Sequence, residues 1–255
     1  MHAMFDLSTW VLLSLAGFGA GVLNAVAGGG TFLTFPVLVW AGIPPIPANA
    51  TSALAVCPGY FGSVAGFRQE LAALPRRLLA REMAVSAIGG IAGALLLLVT
   101  PSKVFDGVVP WLLLVATVLF AIGPWLVRSA GSGGGLARWR LPGLLACTTY
   151  GGYFNGGVGI LLMAWYLLVG EQRLNTVNAL KNLNSTVLSV VSVAAYVIGG
   201  AIVWLPAVVM AVFSVFGGLL GARLAKWLPA FWVRAAVIAT GLVMSAVFFV
   251  RAYSG

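Results

Sequence analysis

Charge is what this sequence has least of. Asp, Glu, Lys and Arg together make up 7% of its 255 residues, against about 25% in a soluble domain. Such a chain cannot cover a water-facing surface, so the lipid bilayer is its expected solvent. Acidic residues are scarcest, five beside 14 Lys and Arg, and there is a single histidine, His2. That scarcity leaves no paired carboxylates, no His-Glu metal motif and no nucleophile with a histidine nearby. An enzyme is therefore not expected, and neither is a metal or other cofactor. No Asp, Glu or His falls deep in an apolar run, so a carboxylate proton relay is not expected either. Cys57 and Cys147 lie in apolar stretches without metal or disulfide spacing, and read as inert thiols. The net charge of +9 comes without a basic stripe interleaved with aromatics, which excludes nucleic acid as a partner. The first six residues lack Lys and Arg and do not read as a cleaved signal peptide.

What is present is apolar, 61% of residues, in eight runs: 8–42, 48–67, 83–99, 108–127, 141–170, 178–200, 205–222 and 233–250. Most approach the roughly 20 residues that cross a bilayer core as helix. The first and fifth are too long for one straight crossing, and each is interrupted by glycine: Gly28-Gly29-Gly30 in one, Gly156-Gly157 and Gly159 in the other. Glycine weakens helix and permits a sharp reversal. Both runs therefore read as helix–break–helix elements that enter the membrane and turn back.

The basic residues favour the same reading. If all eight runs crossed once, Lys and Arg would fall almost evenly on the two sides. With runs one and five re-entrant, Arg68, Arg76, Arg77, Arg81, Arg128, Arg138, Arg140, Arg173, Arg223, Lys226 and Arg234 share one face. Only Lys103 and Arg251 take the other, with Lys181 set aside inside run six. The arginine-rich face is then cytoplasmic and both termini are periplasmic. Each half makes three full crossings, an odd number, so the second half starts from the opposite face. Gly21-Val22-Leu23-Asn24 aligns with Gly152-Tyr153-Phe154-Asn155, Gly42 with Gly170, Asn49 with Asn178 and Pro75 with Pro206. The expected fold is an all-α integral membrane protein of two inverted repeats, 1–128 and 141–255, joined by a cytoplasmic linker at 129–140. Each repeat holds a glycine-broken re-entrant helix pair and three transmembrane helices.

A helix that restarts inside a membrane presents unpaired N–H groups and the positive end of its dipole, both of which an anion satisfies. The expected restarts are Thr31-Phe32 and Ile160-Leu161. Candidate binding residues are Asn24, Gly28, Gly29, Gly30, Thr31, Asn155, Gly157, Gly159 and Lys181. Run six adds a polar face of Asn178, Asn182, Ser185, Ser189, Ser192 and Tyr196, at steps of three and four. Run two answers with Asn49, Ser52, Gly59, Ser63 and Gly66. Asn49, Thr51, Ser52, Asn178, Asn182 and Ser185 are the candidate pathway residues. Glycines and serines also serve plain helix packing, and Lys181 also suits snorkelling to headgroups. The residues alone leave open an anion channel or a non-transporting scaffold subunit.

Taken in order, several motifs resemble one family along nearly the whole chain. They are Gly17-Phe18-Gly19-Ala20-Gly21, then Ala27-Gly28-Gly29-Gly30 with Phe32-Leu33 and Pro36, then Ala48-Asn49-Ala50-Thr51-Ser52. The second half adds Tyr150-Gly151-Gly152-Tyr153-Phe154, Gly157-Val158-Gly159 and the 178–184 region. The set resembles the TauE/SafE sulfite exporter family, also called TSUP. The resemblance implies a bacterial inner-membrane permease of two duplicated halves. Its cargo would be sulfite, an organosulfonate such as taurine or sulfoacetate, or a related small anion. One departure is plain: Asn155-Gly156-Gly157-Val158-Gly159 is not a close copy of the first break.

Overall fold

The computed structural model describes residues 6–26, 29–129, 134–224 and 230–253; Gly28 and part of the 129–140 linker lie outside them. Among the described residues there is no strand. The helices are α1 (Leu7–Val26), α2 (Thr31–Trp40), α3 (Pro45–Gly66), a short α4 (Arg68–Ala72), α5 (Arg76–Val99) and α6 (Ser102–Ser129). After a 3-10 turn at Gly134–Trp139 follow α7 (Arg140–Tyr153), α8 (Val158–Leu168), α9 (Leu174–Ile198), α10 (Trp204–Leu224) and α11 (Ala230–Tyr253).

Local chemistry sets several boundaries. Asp6 caps α1, its carboxylate accepting from the Thr9 N–H at 3.0 Å and from the Thr9 and Ser8 hydroxyls. Two prolines sit where the missing N–H costs least, Pro45 opening α3 and Pro75 just ahead of α5, whereas Pro36 and Pro58 lie inside α2 and α3. The two long apolar runs are each broken in two, as α1–α2 and α7–α8. Gly29 (φ 100°) and Gly157 (φ 76°) hold left-handed conformations in the two breaks, which β-carbon-bearing residues adopt only with strain. One boundary differs from the sequence expectation: α8 restarts at Val158, directly after Gly157, two residues before Ile160.

The two broken elements also end alike. Gly42 (φ 87°) and Gly170 (φ 96°) terminate α2 and α8. Around Gly42, Ala41 N–H donates to Val37 O and Ile43 N–H to Leu38 O. Around Gly170, Val169 N–H donates to Trp165 O and Glu171 N–H to Tyr166 O. Each pair is the other shifted by 128 residues, which is one backbone design written twice.

Packing repeats in the same sense. α1 lies along α10 and α7 along α5; α2 packs on α3 and α8 on α9; α6 touches α8 while α11 touches α2. Exchanging the halves maps these contacts onto one another. Glycines bring the main pairs close. A Cβ on Gly17 would meet Met210 O, and one on Gly21 would meet Ser214 O, so α1 and α10 run parallel. Gly89 against Thr148 and Gly93 against Thr149 set α5 and α7 parallel as well. α3 and α9 run in opposite senses, because the Val203 N–H beyond the end of α9 donates to Thr51 Oγ1 near the start of α3 at 3.0 Å.

The polarity of the molecule is inside out. Ile88, Leu95 and Leu96 on α5 and Val208, Val212, Phe216 and Leu219 on α10 are exposed, whereas Asn49, Ser52, Asn184, Ser185 and Ser189 are buried. Water would invert that pattern, and lipid explains it. Leu7–Asn24 and Arg76–Val99 are long and apolar enough to cross a bilayer by composition alone. Helices α3 and α9, of 22 and 25 residues, have the length but carry polar faces turned inward.

Candidate functional site

The two breaks meet. Asn24 and Gly29 from the first and Asn155, Gly157, Val158 and Gly159 from the second line one tight cavity of about 10 Å³. Lys181, Asn182 and Ser185 of α9 and Tyr60 and Ser63 of α3 complete it. A second cavity of about 310 Å³ shares Asn24 and Ser63 and is bounded by Pro58, Gly62, Ser214 and Gly218. It leads from the site towards the C-terminal ends of α3 and α10.

Asn24 stands just before its break, and its Oδ1 accepts from the Gly30 N–H at 2.8 Å, while its Nδ2 is buried without a partner. Asn155 is 4% exposed, and neither its amide oxygen nor its nitrogen has a partner. The Ser185 hydroxyl is likewise buried and unpaired. Leaving such groups unsatisfied costs about 1–3 kcal/mol each, and here three of them gather around one cavity. The Lys181 stem runs past Gly159, where an added Cβ would lie 3.8 Å from its Cδ. Among the described residues, the two ion pairs are Glu82–Arg140 and Glu171–Arg173, so no carboxylate pairs with Lys181. The starts of α2 and α8, whose N-cap residues Gly30 and Gly157 supply no side-chain cap, add positive dipole ends. Positive potential, hydrogen-bond donors and restricted space together suit a small anion.

The other sequence candidates lie elsewhere. Gly30 is buried beside Ala20 O and Asn24 Nδ2, 2.7 and 2.9 Å from where a Cβ would stand, so it serves close packing. Thr31 is buried as the first residue of α2 and does not line the cavity. Asn49 Nδ2 donates to Tyr153 O at 2.9 Å, tying α3 to the end of α7. Thr51 holds the α9–α10 connection, and Ser52 shares a 2.6 Å hydrogen bond with Thr34. These three are struts beside the site. Asn178 is half-buried and away from the cavity.

Sequence reasoning missed two features. Tyr60 lies three residues before Ser63 on the polar face of α3, and that spacing was a usable signal. The second is a correction: a buried carboxylate lies within one of the long apolar helices. Glu82 is fully buried in the second turn of α5, because that helix starts at Arg76 rather than with the apolar run at 83. Its Oε1 accepts from Arg140 Nε at 2.7 Å, and its Oε2 accepts from the Tyr166 hydroxyl at 2.7 Å and Asn184 Nδ2 at 3.1 Å. Ser86 donates to Asn184 Oδ1 at 2.8 Å. The network clamps α7, α8 and α9 to α5, and both cavity-lining helices α8 and α9 are among them. The first half closes without charge here: Leu38, 128 residues before Tyr166, and Ala55, 129 before Asn184, are buried and apolar.

Comparison with known proteins agrees with the geometry. Residues 13–248 match the family described as sulfite exporter TauE/SafE. The "Probable membrane transporter protein YfcA" of Escherichia coli is 28% identical over 233 residues, covering 89% of this chain and 84% of that one. A "Probable membrane transporter protein" of Haemophilus influenzae is 29% identical over 243 residues, 92% of each chain. No solved structure matches. A family match spanning both broken helices and every long helix between them identifies the chain as a membrane-embedded member of the sulfite exporter TauE/SafE family.

Proposed function

We propose that this protein is a secondary permease for a small anion, an oxyanion or sulfonate, of the bacterial inner membrane. The observation that carries the proposal is the cavity between the two breaks, where the unpaired amide of Asn155, Asn24 Nδ2 and the Ser185 hydroxyl surround a lysine without a counter-ion. Backbone amides at the start of α8 and the Lys181 ammonium take the charge; the asparagines and Ser185 orient it. The two half-sites contribute unequally, since Asn24 spends its oxygen on Gly30 while Asn155 keeps both polar atoms for the ligand.

The reading includes two inverted repeats, 1–128 and 141–255, with re-entrant first elements and periplasmic termini. It is supported by the exchangeable contacts of the halves, by the parallel α1–α10 and α5–α7 pairs beside the opposed α3 and α9, and by the arginine distribution. One half rocking against the other then exposes the site alternately to each side.

The test is flux of sulfite and sulfate into proteoliposomes. A carrier saturates at modest turnover and shows counterflow; with expression unchanged, Asn155→Ala abolishes transport and Lys181→Gln slows it and raises the sulfite concentration needed for half-saturation. Channel-like unsaturable flux, or full transport by both variants, contradicts the proposal.

A further inference from the structure

Resting on that anion reading, we infer that the site selects anions bearing no ammonium group and rejects zwitterions, so that a hydroxyalkyl sulfonate or hydroxy acid binds where its amino analogue does not. The balance of charge inside the cavity sets this selectivity. A zwitterion such as an amino sulfonate needs two opposite partners at short range, a cation for its anionic end and a carboxylate for its ammonium. The cavity supplies only the first. Its charged group is Lys181, its other polar side chains are neutral amides and hydroxyls, and no Asp or Glu lines it.

The one buried carboxylate among the described residues cannot turn to help. Both oxygens of Glu82 are occupied, by Arg140 on one side and by Tyr166 and Asn184 on the other. A carboxylate so held is no acceptor for a cargo ammonium. Nor can the ammonium retreat from Lys181, because that side chain lines a cavity too tight for a two-carbon ligand to hold its ends far from any wall. Two like charges a few ångströms apart in a low-dielectric pocket repel strongly. Part of that repulsion is relieved along the Asn24–Ser63 side, where the neighbouring cavity begins. The remainder is worth at least about a tenfold difference in affinity. The Asn155 amide accepts from a neutral hydroxyl as readily as it donates to one, and Asn24 Nδ2 donates to it, so the hydroxy analogue loses nothing.

Two matched pairs isolate this term, because each differs only by a hydroxyl against an ammonium: glycolate with glycine, and isethionate with taurine. Purified full-length protein carrying radiolabelled sulfite is titrated with each competitor. The expected result is that glycolate and isethionate displace sulfite at concentrations at least about tenfold lower than glycine and taurine do. Lys181→Gln narrows each pair to within about twofold, and Lys181→Arg, which keeps the charge, preserves the discrimination. Equal displacement within the pairs, no displacement by either hydroxy anion, or full discrimination by Lys181→Gln overturns the inference. Failure of sulfite to bind at all is a separate result, which sinks the anion reading itself.

Discussion

Replacing Glu82 by Gln leaves a nearly isosteric side chain and removes one charge from the most polar junction of the fold. In the native protein Glu82 is fully buried, 2.7 Å from Arg140 Nε, and the guanidinium lies 5.3 Å above the Tyr166 ring. After substitution the guanidinium stays with its stem packed and no counter-ion. Removing one partner of a fully buried pair costs about 3–5 kcal/mol. The Arg140 side chain is 21% exposed, so water recovers part of this, and about 2–3 kcal/mol is expected. For a chain of this size that lowers the melting temperature by about 5–10 °C, readable by thermal unfolding in detergent. The double variant Glu82→Leu, Arg140→Met removes both charges together, and the first half already closes the matching junction with Leu38 and Ala55. It should melt closer to wild type than Glu82→Gln does. If Glu82→Gln is neutral, or if the double variant falls by the sum of the single losses, the buried pair is not the clamp described here.

Gly157→Ala forces a β-carbon into φ 76° and within 3.1 Å of Ala116, which predicts about 1–2 kcal/mol of destabilisation and loss of transport; wild-type melting and flux would contradict it. Gly29→Leu should insert normally yet fail to transport, as read by membrane fractionation beside flux. Gly21→Leu places a side chain against the Ser214 carbonyl and the Gly218 nitrogen of α10, so folded monomer recovered from detergent should drop several-fold. Tyr60→Phe removes one hydroxyl from the cavity wall and should weaken sulfite binding about two- to tenfold with little change in melting temperature.

The helical class, the eight apolar runs and the two breaks were legible because glycine and hydrophobic run length act locally. The gathering of Asn24, Asn155 and Lys181 was also within reach, since matched positions before two breaks imply a shared centre. What escaped depends on the third dimension. Asn49 and Ser52 share a polar face with Ser63, yet Asn49 Nδ2 goes to Tyr153 and the Ser52 hydroxyl to Thr34, leaving Asn49 Oδ1 unpaired, while neighbouring Thr51 holds Val203. No spacing rule distinguishes a strut from a ligand. Glu82 was hidden by its neighbours: Arg76, Arg77 and Arg81 make it look like part of a headgroup-facing loop, and only its partners on α7, α8 and α9, distant in sequence, bury it. Gly30 looked like its neighbour Gly29, but one holds a turn and the other a close contact.

The most direct measurement is side-specific labelling of single cysteines at Leu7, Trp40, Leu136 and Gln172, in a background lacking Cys57 and Cys147. All four positions are exposed. The account predicts that positions 7 and 40 react with an impermeant thiol reagent from the periplasmic face, and positions 136 and 172 only from the cytoplasmic face. Reaction of 7 and 40 from opposite faces would mean that the first broken element passes straight through, and the anion site built on its return would be lost.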